Sequence, residues 1–147
     1  MQGIEIDLLI EDSVRAFGLY ETVFGAEKVE VTAYRRGLNE AIFTLHGTRF
    51  HLLDANPEYG LTAPGPEGPH TMWFNLVVPD IAAQFAKAIA HGFTVVQEVT
   101  NLPEMGVRNA ILMDPFSYMW MLHQIDREVS FEERTKIMDE VFKDEGG

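Results

Sequence analysis

The first half of this chain resembles the second, and that duplication restricts its possible folds more than any other feature. Aligning Asp12 with Asp80, 68 positions on, lays Asp7-Leu8-Leu9-Ile10-Glu11-Asp12 over Asn75-Leu76-Val77-Val78-Pro79-Asp80 and Phe17 over Phe85. After a one-residue slip Gly25 meets Gly92, Ala41-Ile42-Phe43 answers Ala110-Ile111-Leu112, and the apolar run 50–53 answers 119–123. A unit of roughly 60–70 residues buries little core by itself. Two of them point to halves that complete one sheet and enclose a cavity.

Each unit reads as strand, helix and three strands. Residues 4–10 alternate, with Ile4, Ile6, Leu8 and Ile10 on one face and Glu5, Asp7 and Leu9 on the other. Asp12 or Ser13 caps a helix carrying Val14, Phe17, Tyr20 and Phe24, and Gly25 stops it. Strands are expected at 28–35, 40–46 and 48–54, with turns at Gly37-Leu38-Asn39 and His46-Gly47-Thr48. The second unit predicts a strand at 72–78, a helix at 80–91 and strands at 93–99, 107–113 and 118–124. Between them, 55–70 is rich in Pro and Gly and reads as a linker or a lid. The spacing thus gives an α+β domain over 1–126, with module one at 4–54 and module two at 71–126. A tail at 127–147 holds a last helix with a Ser130/Glu133 capping box and an Ile137, Met138, Val141, Phe142 stripe.

Composition narrows the function classes. At 147 residues, 46% apolar and 23% charged, the chain supports one well-buried domain. Without cysteine it has no disulfide and no thiolate chemistry. A formal charge of −12, with Arg35-Arg36 as the only adjacent basic pair, argues against nucleic-acid and anionic-membrane partners. No run is long and apolar enough to span a bilayer and the start lacks a leader's pattern, so a cytoplasmic location is expected.

Three segments resemble the vicinal oxygen chelate superfamily, which includes glyoxalase I, extradiol dioxygenases and the bleomycin- and fosfomycin-resistance proteins. They are the βαβββ repeat, the helix Ala16-Phe17-Gly18-Leu19-Tyr20-Glu21-Thr22-Val23-Phe24-Gly25, and the closing Asp114-Pro115-Phe116-Ser117-Tyr118-Met119-Trp120. The last is most similar to the PhnB-like branch, whose usual form is Asp-Pro-Phe-Gly-x-x-Trp. Ser117 replaces the turn glycine, so that turn is expected either to avoid positive φ or to place it on another residue. The resemblance implies two βαβββ modules curled into one mixed-sheet cup, the glyoxalase/bleomycin resistance fold, with a ligand inside and often a homodimer outside. It also implies four metal-ligand positions, which here hold Glu5, His51, Trp73 and Met121.

Trp cannot coordinate a metal and a thioether is a poor ligand for Zn²⁺, Ni²⁺, Fe²⁺ or Mn²⁺. No cofactor is therefore expected; the alternative is one divalent Zn, Ni, Mn or Fe ion, with Asp7 or His123 replacing the missing donors. Glu5 and His51 are the candidate catalytic pair, a carboxylate that orients an imidazole base. Trp73, Met119, Met121 and His123 fall on one period-2 face, an aromatic and thioether wall with a polar tip, and Asn75 and Asp7 add hydrogen-bonding groups. Arg49, two residues before His51, reads as a solvated residue on an edge strand, the alternative being a positive charge in the cup that binds an anionic substrate; Trp120 reads as core or interface. The leading reading is a protein that binds a small organic molecule, as a homodimer and without a tightly held metal. The alternatives are a metal-dependent lyase, isomerase or dioxygenase acting on an oxygenated substrate, and an interaction protein whose cup is filled by its own side chains.

Overall fold

A computed structural model describes residues 2–146, with 144–146 as backbone only. Module one runs β1 (Ile6–Ile10), α1 (Ser13–Phe24), β2 (Glu27–Val31), β3 (Glu40–Leu45) and β4 (Thr48–Asp54). Module two repeats the order as β5 (Phe74–Val77), α2 (Ile81–Ala90), β6 (Thr94–Leu102), β7 (Val107–Met113) and β8 (Met119–Ile125), and α3 (Phe131–Gly146) follows. The α+β class and the doubled βαβββ order are those the sequence predicts. The strands form two four-stranded sheets, one per module, ordered β1-β4-β3-β2 and β5-β8-β7-β6, and among the described residues no strand pairing joins them into the single sheet that the repeat suggested. In each half the first strand lies parallel to the last and the other pairs are antiparallel. Among the described residues no helix is long and apolar enough to cross a membrane.

The same local chemistry builds both modules. Asp12 accepts from the Arg15 N–H and Asp80 from the Ala83 N–H, satisfying backbone donors that a helix start leaves unpaired. One residue on, the Ser13 N–H donates to Asp54 and the Ile81 N–H to Gln124, each at 2.8 Å. Asp54 and Gln124 hold equivalent places on β4 and β8, so each helix start is tied to the last strand of its own module. Gly25 ends α1 in the left-handed region at φ 75°, where its N–H reaches the Glu21 and Tyr20 carbonyls.

The even-numbered faces of β1, β4, β5 and β8 carry the core: Leu8, Ile10, Phe50, Leu52, Leu76, Trp120 and Leu122 are buried beneath the two helices. Aromatic rings join the modules across this layer. Trp120 lies 4.5 Å from Phe24 and 5.3 Å from Tyr20 between ring centres, and Phe50 lies 5.3 Å from Phe74. Buried Asp114, in the β7–β8 turn, accepts from the Tyr20 hydroxyl and the Trp120 indole N–H, and the Tyr118 hydroxyl donates to the Leu9 carbonyl. The halves are thus riveted through their helix-side faces. The opposite, inner faces stay partly open.

Several boundaries and environments differ from the sequence reading. The strand expected at 28–35 ends at Val31, because Asn39 draws Thr32 and Tyr34 into a side-chain-bonded loop. The strand expected at 72–78 starts only at Phe74, and the one expected at 93–99 runs to Leu102 through two register shifts. Arg49 is not on an edge: β4 lies between β1 and β3, since the parallel β1 adds to its free side. Ser117 itself takes φ 73°, and the Asp114 carboxylate steadies the turn by accepting from the Phe116 and Tyr118 N–H groups. On α3 the Ser130 hydroxyl accepts from the Glu133 N–H as a cap, while the Glu133 carboxylate pairs with Arg127. Ile137, Met138 and Val141 face Leu102, Pro103 and Met105 across a cavity of about 370 Å³, and Phe142 stays exposed.

Candidate functional site

The inner face of module one gathers charge around one imidazole. Glu5 precedes β1, and His51 and Arg49 share the inner face of β4. The Glu5 carboxylate accepts from the Arg49 Nε–H on one oxygen and stands 2.9 Å from His51 Nδ1 on the other. Asp7, the direct parallel partner of His51, is 3.9 Å from the same nitrogen, and Glu40 on β3 approaches Nε2 at 3.4 Å. Three carboxylates against one guanidinium make this a face that favours cations.

The Arg49 hydrogen bond, followed by those from His51 and Asp7, holds the Glu5 carboxyl down at about 2. An ionised carboxylate only accepts, so the proton on the Glu5–His51 contact belongs to His51 Nδ1. Asp7 shifts the other way: partial desolvation first, then its contact with Glu5, raises its pKa. The His51 ring is held by Glu5 in a fixed orientation, with Nε2 enclosed and without a hydrogen bond. A carboxylate-oriented imidazole of this kind can take a proton or ligate a metal.

The remaining predicted residues lie in module two and divide between two places. Trp73 and Asn75 border a cavity of about 360 Å³ at the seam between modules, facing Ile6, Thr48 and Phe50. Trp73 is 49% exposed, a large ring left in water on a concave surface. Met119 and Met121 are half-buried on the inner face of β8, with Met121 directly paired to Asn75. His123 lines a separate chamber near α3. The structure therefore brings Glu5, Asp7 and His51 together, sets Trp73 and Asn75 side by side at the seam, and puts His123 apart from both groups.

Arg49 takes the less favoured of its two expected places, in the cup, where it is the main partner of Glu5, and Glu40 was not singled out at all. The signal for Glu40 was the His46-Gly47 turn, which sets Leu45 opposite Thr48 and hence Glu40 opposite Leu53, diagonal to His51.

The donors present partly fit a metal. Oxygen and nitrogen atoms of Glu5, Asp7 and His51 lie within 4.8 Å of one another, a set suited to a divalent first-row ion. Arg49 competes for one Glu5 oxygen, and Trp73 and Met121 add no suitable donor.

Residues 5–122 match the family profile described as the Glyoxalase/Bleomycin resistance protein/Dioxygenase superfamily. No curated protein matches the chain. Among solved structures, TioX from Micromonospora sp. ML1 is 20% identical with a TM-score of 0.63, over 85% of this chain and 99% of that one. The fosfomycin resistance protein FosX from Listeria monocytogenes, complexed with Mn(II) and sulfate, is 15% identical with a TM-score of 0.66, over 94% and 98%. A gene product from Arabidopsis thaliana is 25% identical with a TM-score of 0.63, over 83% and 96%. The doubled βαβββ architecture and a profile match spanning both modules together place this chain in the Glyoxalase/Bleomycin resistance protein/Dioxygenase superfamily.

Proposed function

We propose that this protein binds a small organic molecule on the inner faces of its two modules, as a cytoplasmic homodimer of the PhnB-like branch and without a tightly held metal. Trp73, Met119 and Met121 supply apolar contact area and the Asn75 amide beside Trp73 orients the polar groups of the ligand, while Glu5, Asp7 and His51 on module one and His123 near α3 offer separate polar contacts on the same inner faces. The observation that carries the reading is Trp73, half in water at the rim of the seam cavity with the Asn75 amide beside it. Exposed apolar side chains on inner faces, Trp73 and Val77 among them, also suit coverage by a second subunit.

Trp73 is its own reporter. Titration of the full chain with uncharged aromatic and heteroaromatic compounds is expected to quench its fluorescence saturably, and Trp120→Phe keeps the signal assignable. A matching calorimetric titration on Trp73→Ala should show affinity reduced tenfold or more. Binding of the same compounds unchanged in Trp73→Ala would overturn the reading.

The three donors of module one favour a second reading, a metal-dependent enzyme acting on an oxygenated substrate. In it Glu5, Asp7 and His51 hold a Zn, Ni, Mn or Fe ion, which would act as a Lewis acid on a substrate oxygen. FosX, solved with Mn(II), gives this reading a precedent on the same fold. Metal analysis after loading and desalting separates the two. We expect well under one ion per chain; near one ion, lost in Glu5→Ala and His51→Ala, establishes the second reading.

A further inference from the structure

On the inner face of β8, the segment after Asp126, the start of α3 and the turn at Pro103–Met105 border an open-sided chamber of about 450 Å³ lined by residues from 102 to 134. On its floor Asn109 of β7 and His123 of β8 are direct cross-strand partners. The Asn109 carbonyl oxygen accepts from the Gln97 amide at 2.8 Å, which leaves the Asn109 NH₂ free to donate. His123 Nδ1 is sealed from solvent with no hydrogen-bond partner. An orphaned N–H is rarer in folded proteins than an under-used lone pair, so the ring proton belongs on Nε2.

The rim adds charge. Arg127 is taken up by the Glu133 carboxylate and the Pro103 and Glu104 carbonyls. Arg134, in the first turn of α3, also lines the chamber, and among the described residues it enters no salt bridge. Glu128 is the one carboxylate in the lining. The remainder is apolar, with Leu102, Val107 and Ile125 as walls. Three donors, one of them cationic, over an apolar pocket of this size match an acceptor-rich anionic head on a compact hydrocarbon body.

The geometry points to this chamber as a binding site for a small carboxylic acid with a one-ring or branched apolar body. The carboxylate accepts from Asn109, His123 and Arg134, and the body packs on the apolar walls. The assignment rests on the reading of module two's inner face as a ligand surface, and it gives His123 a ligand class that the seam cavity does not.

Calorimetry and ligand-detected NMR on the full chain, with benzoate and phenylacetate as probes and benzamide as the uncharged isostere, test it. The expected result is saturable benzoate binding at least tenfold tighter than benzamide. Arg134→Gln should weaken it fivefold or more, whereas Arg35→Gln, the same charge change on module one, should leave it as in the parent. Benzoate binding no tighter than benzamide, or unaltered in Arg134→Gln, overturns the assignment. So does the absence of saturable carboxylate binding. If that happens while neutral aromatic compounds still bind through Trp73, only the chamber falls. Carboxylate binding without Trp73-dependent binding overturns the seam reading instead.

Discussion

The two inner faces are built on the same backbone and carry opposite chemistry. Module one places Glu5, Asp7, Arg49 and His51 around a parallel β1–β4 pair; module two places Trp73, Asn75, Met119 and Met121 around the equivalent β5–β8 pair. The positions that make the fold repeat far more faithfully. Asp12 and Asp80 both cap helices, Asp54 and Gln124 both hold a helix N–H, and buried apolar residues recur on the even faces. Capping and core positions each contribute on the order of one to several kcal/mol, so a change there is felt by the whole domain. A half-exposed inner-face residue costs little to replace. The repeat holds at the positions that fold the modules and fails on their inner faces.

Four experiments press on that comparison. The strongest effect is expected at the shared core, where Trp120→Ala should cost about 3–5 kcal/mol in chemical denaturation, and its module-one counterpart Phe50→Ala about 3 kcal/mol. Next come the helix anchors. Asp54 accepts from the Ser13 N–H and hydroxyl and from the Gly37 and Asn39 N–H groups, so Asp54→Ala should cost about 2–4 kcal/mol, against about 1 kcal/mol for Gln124→Ala. Equal costs would mean that the anchors are not the unequal pair their partner counts suggest.

The third experiment is a pH profile. A carboxyl held at about 2 when folded and near its ordinary 4.5 when unfolded stabilises the fold above pH 4.5, and that contribution is lost as pH falls from 4.5 towards 2. The upward shift of Asp7 acts in the opposite sense, favouring the folded state at low pH and weakening it as pH rises. Thermal melts across pH 2–6 should therefore show a steeper acid loss in the parent than in Glu5→Gln; parallel curves would contradict the Arg49–Glu5–His51 arrangement. The smallest stability effect belongs to Trp73→Ala, within about 0.5–1 kcal/mol of the parent, because that ring is half in water. A larger loss would make Trp73 a packing residue and weaken the binding reading.

Much of the architecture was legible because the signals are local. Period-2 alternation over residues 4–10 put Glu5 and Asp7 on one face and the core residues on the other, and Asp12 and Gly25 bounded a helix by backbone chemistry that involves only near neighbours. The candidate pair Glu5 and His51 came from the ligand positions that the family resemblance implies, and the internal repeat agreed with that placement. Arg49 was assigned to an edge because the strand that covers it, and the Glu5 it pairs with, come from 44 residues earlier in the chain. Ser117 was misread because its positive φ is supported by the Asp114 carboxylate, which accepts from the Phe116 and Tyr118 N–H groups while Tyr20 of module one donates to it.

By itself the sequence determined the two βαβββ units, the face each side chain takes within its strand, the helix ends, and an acidic chain without thiol chemistry. All follow from alternation, capping and composition, which act within a few residues or need no geometry at all. Tertiary structure decided which faces meet. It seated Tyr20 on Asp114, 94 residues away, and Tyr118 on Leu9, 109 away, and so turned both inner faces outward from the shared core. It also separated His123 from Glu5 and His51 and set it beside the start of α3. Such contacts depend on how whole layers pack, and layer packing is set by the summed burial of both modules rather than by any one stretch of chain.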